Sequence, residues 1–174
     1  MQEKQVFASK YNCPQAVYSK PHITIALFMQ HALNEIRIIH RFQQIIHRHT
    51  CFKVELQNFG SFPSHTIFIN VIAKQKIVEL AKALRETSKL LTLDKEKKPF
   101  FITEPHLTVA RKLSAGQYES AWLEYEHKNF QGMFMANELL LLKRKQGDKK
   151  YLITKKFSLS ATVTDSMVQG RMFA

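Results

Sequence analysis

Two six-residue segments of the 174-residue chain carry the side chains best suited to chemistry. Residues 21–26 read PHITIA and residues 105–110 read PHLTVA, so the two positions that differ exchange only aliphatic residues. The segments stand about half the chain length apart, and each is followed by a helix pattern and then two strand patterns. This recurrence indicates a duplicated βαββ unit rather than two chance His-x-Thr matches.

The residues of each segment separate onto two faces of a strand. Because side chains alternate along a strand, His22 shares a face with Thr24, and His106 shares a face with Thr108. The aliphatic residues between them can be buried beneath a helix. The polar faces must then line an open groove, since buried imidazoles without partners would be unfavourable. A pseudo-two-fold axis between the halves predicts that the two His/Thr pairs face each other.

Two opposed imidazoles suit the hydrolysis of a phosphodiester. Imidazole changes charge between pH 5 and 8, so one ring can accept a proton from the attacking water while the other donates one to the leaving ribose oxygen. The two threonine hydroxyls can donate hydrogen bonds to the non-bridging phosphate oxygens. None of these roles needs a metal ion or another cofactor, and the sequence predicts neither.

The composition favours a phosphate-rich partner. Lys and Arg number 26 against 14 Asp and Glu, a formal net charge of +12. A basic surface that only aids solubility explains this charge equally well. The 45% of hydrophobic residues excludes wholesale disorder. No apolar run reaches membrane-span length, no secretory signal is recognisable, and the two cysteines lie far apart. We therefore expect a cytoplasmic protein with no membrane contact and no obligate protein partner.

The positions of the motifs depend on elements that the periodicity predicts. Alternation of period two predicts strands, and spacing of three and four residues predicts helices. The predicted strands cover residues 22–28, 51–59, 65–73, 106–110, 130–135, 138–145 and 151–159, and the predicted helices cover residues 34–49, 76–91 and 116–127. Ser114 and Gln117 predict a capping box at the start of the last helix.

These elements predict one bilobal domain over residues 1–160. Its repeat units cover about 21–75 and 105–145, and residues 161–174 are expected to form a loose tail.

The paired motifs resemble those of the 2H phosphoesterase superfamily, which is named for two His-x-Thr/Ser motifs, each followed by a hydrophobic residue. The chain is most similar to the bacterial branch of 2′-5′ RNA ligases and RNA 2′,3′-cyclic phosphodiesterases, over about residues 6–159, including the turn FGSFP at 59–63. The resemblance implies an α+β, LigT-like fold of two pseudo-symmetric lobes of antiparallel sheet, with outer helices around a central cleft. It also implies that His22 and His106 are the acid/base pair and that Thr24 and Thr108 hold the phosphate.

One feature departs from this resemblance. Members usually begin with an apolar strand and a helix before the first motif, and only about twenty residues precede His22. Either the chain starts late, or another segment, such as the C-terminal one, fills that position in the sheet.

Four further residues are candidates for binding substrate. Lys112 returns to the His/Thr face by alternation, whereas Arg111 takes the other face, so Lys112 is the better phosphate contact; a plain surface lysine is the alternative. Phe28 and Phe62 could stack on a base, or could belong to the core. His65 could reach the cleft, although a surface position in a loop is the safer interpretation.

The helix over 34–49 is amphipathic. Its predicted apolar stripe comprises Ile36, Ile39, Phe42, Ile45 and Ile46, and three arginines fall off that stripe, at positions 37, 41 and 48. The histidines at positions 40, 47 and 49 do not converge with a carboxylate, so a solvated basic helix face is favoured over a metal site. The lysine-rich segments 143–145, 149–150 and 155–156 suit either an RNA backbone or the polar ends of a hairpin.

The sequence thus predicts a metal-independent phosphoesterase that opens 2′,3′-cyclic phosphates on RNA ends or nucleotides, with 2′-5′ ligation as the reverse reaction. Two alternatives stay open: cleavage of 2′-5′ linked oligoadenylate, and a nucleic-acid-binding module whose cleft has lost useful turnover.

Overall fold

A computed structural model describes residues 1–148 and 150–161. The helices are α1 (Gln2–Lys10), α2 (Glu35–Ile46), α3 (Gln75–Arg85), α4 (Ser88–Leu91) and α5 (Ala115–Tyr125), with 3₁₀ turns at Pro14–Val17 and Ala32–Asn34. The strands are β1 (Ala26–Leu27), β2 (Phe52–Phe62), β3 (Thr66–Val71), β4 (Phe100–Phe101), β5 (His106–Arg111), β6 (Gln131–Ala136), β7 (Glu138–Lys143) and β8 (Leu152–Ser158). Within the described residues no helix is both long and apolar enough to cross a bilayer.

The first lobe is built on an antiparallel sheet of four strands in the order β5-β3-β2-β6. The apolar residues of these strands alternate inward and pack against α1 and α5. Tyr125 of α5 is fully buried, with its ring edge-on to Phe59 of β2 at 4.7 Å. The predicted capping box is present: the Ser114 hydroxyl accepts from the Gln117 backbone N–H, and the Gln117 side chain accepts from the Ser114 N–H.

The second lobe packs α2 and α3 against two pairs of strands, β1-β4 and β7-β8. Its core comprises Ile38, Phe42, Ile45, Ile46, Leu80, Leu84, Leu91, Phe101, Phe157 and Leu159. The buried stripe of α2 therefore begins at Ile38, whereas Ile36 of the predicted stripe is 81% exposed. The predicted helix over 76–91 ends at Arg85, because the Thr87 hydroxyl donates to the Leu84 carbonyl and a short second helix begins at Ser88.

The chain passes between the lobes inside each predicted repeat. Strands β2 and β3 follow the first motif, yet β3 pairs with β5, the strand of the second motif. Likewise β6 pairs with β2 in the first lobe, whereas the next strand, β7, pairs with β8 in the second. Each lobe is therefore assembled from both halves of the sequence. The predicted repeat boundaries stay a prediction, and the expected tail lies outside the described residues after position 161.

The N-terminal residues lie beside the edge strand β5. Helix α1 and the turn Pro14–Val17 contact β5, and Phe7 and Cys13 are fully buried there. Ser160, near the end of the described residues, instead forms a bridge with Thr50. Apolar side chains of a helix and a turn therefore cover this edge of the sheet.

Candidate active site

The second motif lies on β5, which pairs with β3 along its length. His106 stands opposite Asn70 and Thr108 opposite Phe68, so these four side chains share one face of the sheet. Val109 points to the other face and is fully buried. The segment therefore has the predicted division into a polar and an aliphatic face.

The first motif has the same division into a polar and an aliphatic face, although fewer of its residues belong to a paired strand. Only Ala26–Leu27 pair, with Phe100–Phe101, and the Ile25 carbonyl accepts from the Ile102 N–H at 2.9 Å. The predicted strand is absent over residues 22–25, because no described strand pairs with them. Ile23 and Ile25 nevertheless pack against the first-lobe core, while His22 is exposed.

Both motif imidazoles make the same local contact. Nδ1 of His22 lies 2.7 Å from the Lys20 carbonyl oxygen, and Nδ1 of His106 lies 2.8 Å from the Glu104 carbonyl oxygen. A carbonyl can only accept, so Nδ1 is the donor and Nε2 is left for proton transfer in both rings. His65 makes this contact with Pro63 at 3.0 Å. The contact alone therefore does not mark a catalytic histidine, and its significance comes from the paired motifs.

Two phenylalanines enclose one side of His106. The Phe62 ring stands perpendicular to the imidazole at 5.0 Å between centroids, and the Phe68 ring lies at 4.9 Å. Sequence reasoning identified Phe62 but missed Phe68, because only the register of β3 against β5 shows that Phe68 faces Thr108. A Cβ on Gly60 would lie 2.7 Å from the Phe68 ring, so glycine lets this ring lie over β2.

A β-bulge changes which cation follows the second motif. The register passes from Thr108↔Phe68 to Ala110↔Ile67, which leaves Val109 as the extra residue. Ala110 therefore turns into the core, and Arg111, paired with Thr66, returns to the His/Thr face. Lys112 lies beyond the strand with a φ of +57°. The prediction for Lys112 followed strict alternation, which the bulge interrupts, and Arg111 takes the position instead.

Residues 3–148 match the family described as the 2′-5′ RNA ligase superfamily. The chain belongs to this superfamily. The membership inferred from the two motifs is thereby confirmed. No curated protein matches the sequence.

Solved structures share the superfamily fold at low sequence identity. E. coli LigT in complex with 3′-AMP is 18% identical with a TM-score of 0.62, over 91% of each chain. A structure described as a phosphoesterase is 17% identical with a TM-score of 0.61, again over 91% of each chain. TT0787 of Thermus thermophilus is 17% identical with a TM-score of 0.60, over 92% of this chain and 93% of that one. These likenesses confirm the predicted α+β fold.

Two of the predicted substrate-binding residues, Phe28 and His65, lie away from both His-x-Thr motifs. Phe28 packs edge-on against Phe42 in the second-lobe core, at 6.1 Å between ring centroids. By period two the sequence puts Phe28 on the same face as His22, at the far end of a strand. In the structure β1 ends at Leu27, so Phe28 lies beyond the strand. His65 is exposed and its carbonyl accepts from the Leu113 N–H, at the opposite end of β5 from His106.

The charges around the second motif are mainly positive. Lys4 of α1 is buried, with Nζ 3.5 Å from the Thr108 carbonyl oxygen and 3.4 Å from the Ser19 hydroxyl. Burial, and then the nearby Arg111 guanidinium, lower the pKa of Lys4. The Glu104 carboxylate is paired with Lys74 at 2.5 Å. Over residues 1–148 and 150–161, no three His, Cys, Asp or Glu side chains are grouped to hold a metal.

Proposed function

We propose that this superfamily member opens 2′,3′-cyclic phosphates on RNA ends or nucleotides by metal-independent acid/base hydrolysis. The observation that carries the proposal is the matched setting of the two histidines. Each donates Nδ1–H to the carbonyl two residues earlier, and each stands on the face opposite aliphatic residues that pack into the first-lobe core. Each ring can therefore transfer a proton through Nε2.

The backbone supports a short separation between the two motifs. Residues 25–27 run antiparallel to residues 100–102, so this ladder ends three residues after His22 and four residues before His106. In the proposal this register continues past Ile25 and Ile102, which brings His22 opposite the residues immediately before His106. In the proposal the two imidazoles flank one phosphate, and the hydroxyls of Thr24 and Thr108 donate to its non-bridging oxygens.

The proposed reaction transfers two protons. A water oxygen attacks phosphorus as the neutral imidazole accepts a proton from that water. The bond from phosphorus to one ribose oxygen breaks, and the protonated imidazole gives its Nε2 proton to that oxygen. Solvent then restores both rings. With a 5′-hydroxyl in place of water and release of O3′, the same transfers form a 2′-5′ linkage.

Arg111, Phe62 and Phe68 supply the proposed substrate contacts. The guanidinium follows Thr108 on the same face and can donate two hydrogen bonds to a phosphate. The two rings beside His106 offer an apolar surface for a base or ribose.

A substrate panel tests the proposal. Wild type, His22→Ala and His106→Ala are assayed on a cyclic mononucleotide, a cyclic-phosphate-ended RNA and a 2′-5′ linked oligoadenylate, with and without chelator. We expect wild type to open the cyclic phosphates, both variants to lose this activity, and chelator to change nothing. His127→Ala is the control, because this ring is 82% exposed beyond α5 and pairs only with Glu126.

Other outcomes separate the alternatives. Binding of nucleotide by wild type without any turnover would identify an inactive binding module and contradict the proposal. Selective cleavage of the oligoadenylate would identify the second enzymatic alternative.

A further inference from the structure

Helix α2 presents a strip of cations to solvent on the outside of the second lobe. Its apolar side is used in the core, through Ile38, Phe42, Ile45 and Ile46. The exposed side carries Arg37, His40 and Arg41 on one helix face, and His47 and Arg48 follow in the turn after the helix. The helix rises roughly 14 Å from Arg37 to Ile46 at ~1.5 Å per residue, and the strip continues into the turn that holds Arg48.

Two adjoining, shallow regions of surface, both open to solvent, lie along this strip. One, of about 370 Å³, lies between α2 and the α3–α4 junction and is lined by Arg37, His40, Arg41, Glu86, Thr87, Lys89 and Leu90. The other, of about 610 Å³, is lined by His40, Arg41, Gln43, Gln44, His47 and Arg48. Because both include His40 and Arg41, they form one continuous shallow surface, which we call the α2 groove.

The α2 groove has an excess of positive charge that its own carboxylates do not balance. Glu86 is the one carboxylate among its lining residues, and it lies 3.8 Å from Arg41. Among the described residues, Arg37, Arg48 and Lys89 form no ion pair. Glu35, at the start of α2, is paired with Lys143 instead. Elsewhere many exposed lysines have a carboxylate partner, as Lys10, Lys53 and Lys156 do.

We propose that the α2 groove binds the phosphate backbone of single-stranded RNA, outside the catalytic cleft. Arginine guanidinium groups donate paired hydrogen bonds to phosphate oxygens, and their spacing along a helix suits a ligand with repeated charges. At ~3.4 Å per stacked nucleotide, the groove accommodates about five nucleotides. A lipid surface fits less well, because the apolar side of α2 is buried in the core and cannot enter a bilayer.

This binding surface does not depend on turnover, so it goes beyond the proposed function and can be tested apart from it. The triple variant R37Q/R41Q/R48Q removes three positive charges from the groove. We expect its affinity for a 15-nucleotide single-stranded RNA with a non-reactive 3′ end to fall at least tenfold at ~0.1 M salt. Its plot of log affinity against log salt should become shallower by about 2, since each lost phosphate contact contributes ~0.7.

A matched variant separates the groove from net charge. K10Q/K53Q/K156Q also removes three charges, from exposed lysines that lie outside α2 and are each paired with a carboxylate. Its affinity for the RNA should change less than threefold. R37K/R41K/R48K keeps the charges and should retain most of the affinity. All variants should turn over a cyclic mononucleotide at the wild-type rate, and circular dichroism should show the same fold.

Two results would overturn the proposal: unchanged RNA affinity in R37Q/R41Q/R48Q, or an equal loss of affinity in K10Q/K53Q/K156Q. If the arginine variant keeps its affinity for RNA but loses binding to polyglutamate or to phosphatidylserine vesicles, the groove is assigned to an acidic protein or to a lipid surface. Absence of turnover in wild type would contradict the proposed function and leave this measurement intact.

Discussion

The two His-x-Thr segments have nearly the same residues, yet their surroundings differ. The second segment lies on a strand that pairs with β3. In the first segment only the last residue, Ala26, is paired, and the residue after it, Leu27, is paired as well. Both histidines nevertheless make the same contact with a carbonyl two residues earlier. The imidazole contact and the alternation of side chains over residues 22–25 therefore do not require a paired strand. Strand structure, in contrast, depends on the partner that the fold supplies.

The surroundings also differ in burial. Val109 in the second segment is fully buried, and His106 is enclosed by two phenylalanines. In the first segment His22 is exposed, and Ile25 packs partly against the cores of both lobes. We therefore expect changes in the second segment to affect both stability and activity, and changes in the first to affect mainly activity.

Removal of either imidazole is expected to have the largest effect. His22→Ala and His106→Ala should each lower kcat/KM by about 10²–10⁴-fold, because each loses a general acid or base. The kcat/KM of the double variant should be only slightly lower than that of the less active single variant, since the pair acts as a unit. Steady-state kinetics on a cyclic mononucleotide measure this. Effects that multiply in the double variant would indicate independent roles and break the proposed equivalence of the two segments.

Gly60→Ala tests the aromatic enclosure that only the second segment has. The added methyl group would lie 2.7 Å from the Phe68 ring and from the Asn70 side chain, so the ring beside His106 must move. We expect a loss of about 1–3 kcal/mol in the free energy of unfolding, together with lower kcat/KM. Gly116→Ala is the control, because nothing lies within 4 Å of its added Cβ in α5. Equal effects of the two substitutions on urea unfolding would contradict the prediction.

Substitution of aliphatic residues measures the difference in burial. Val109→Ala removes two methyl groups from a fully buried side chain and should lower the free energy of unfolding by about 2 kcal/mol. Ile25→Val removes one methylene from a half-buried side chain and should lower it by about 0.5 kcal/mol. Chemical denaturation of both variants provides the measurement. A larger loss for Ile25→Val would show that the first segment carries more of the stability than its burial indicates.

The smallest expected effect is a difference in KM between variants of Arg111 and Lys112, the two cations at the end of the bulged strand β5. Arg111→Gln should raise KM for a cyclic-phosphate-ended RNA about tenfold, because this side chain follows Thr108 on the same face. Lys112→Gln should raise KM less than twofold, since this residue lies beyond the strand at positive φ. No cation follows the first motif at a matching position, where Leu27 and Phe28 stand. A stronger effect of Lys112→Gln would restore the simple alternation predicted from the sequence.

Much of the candidate site could be predicted from the sequence because it depends on local chemistry. The identity of the two motifs revealed the repeat and the superfamily, which the family match confirms. Alternation predicted that aliphatic residues such as Val109 face the core, and the capping box at Ser114 was legible because its partner is three residues away. The facing of the two histidines across one phosphate stays a prediction.

Tertiary structure alone decided the features that depend on distant partners. The register of β3 against β5 places Phe68 beside His106 and creates the bulge that exchanges Lys112 for Arg111. Residues 22–25 form no strand because no described strand pairs with them, and helix α1 packs beside the edge strand β5. A short segment determines which way its side chains alternate, but hydrogen bonds between strands need a second segment. Which second segment pairs with it, and in which register, depends on how the whole core is buried.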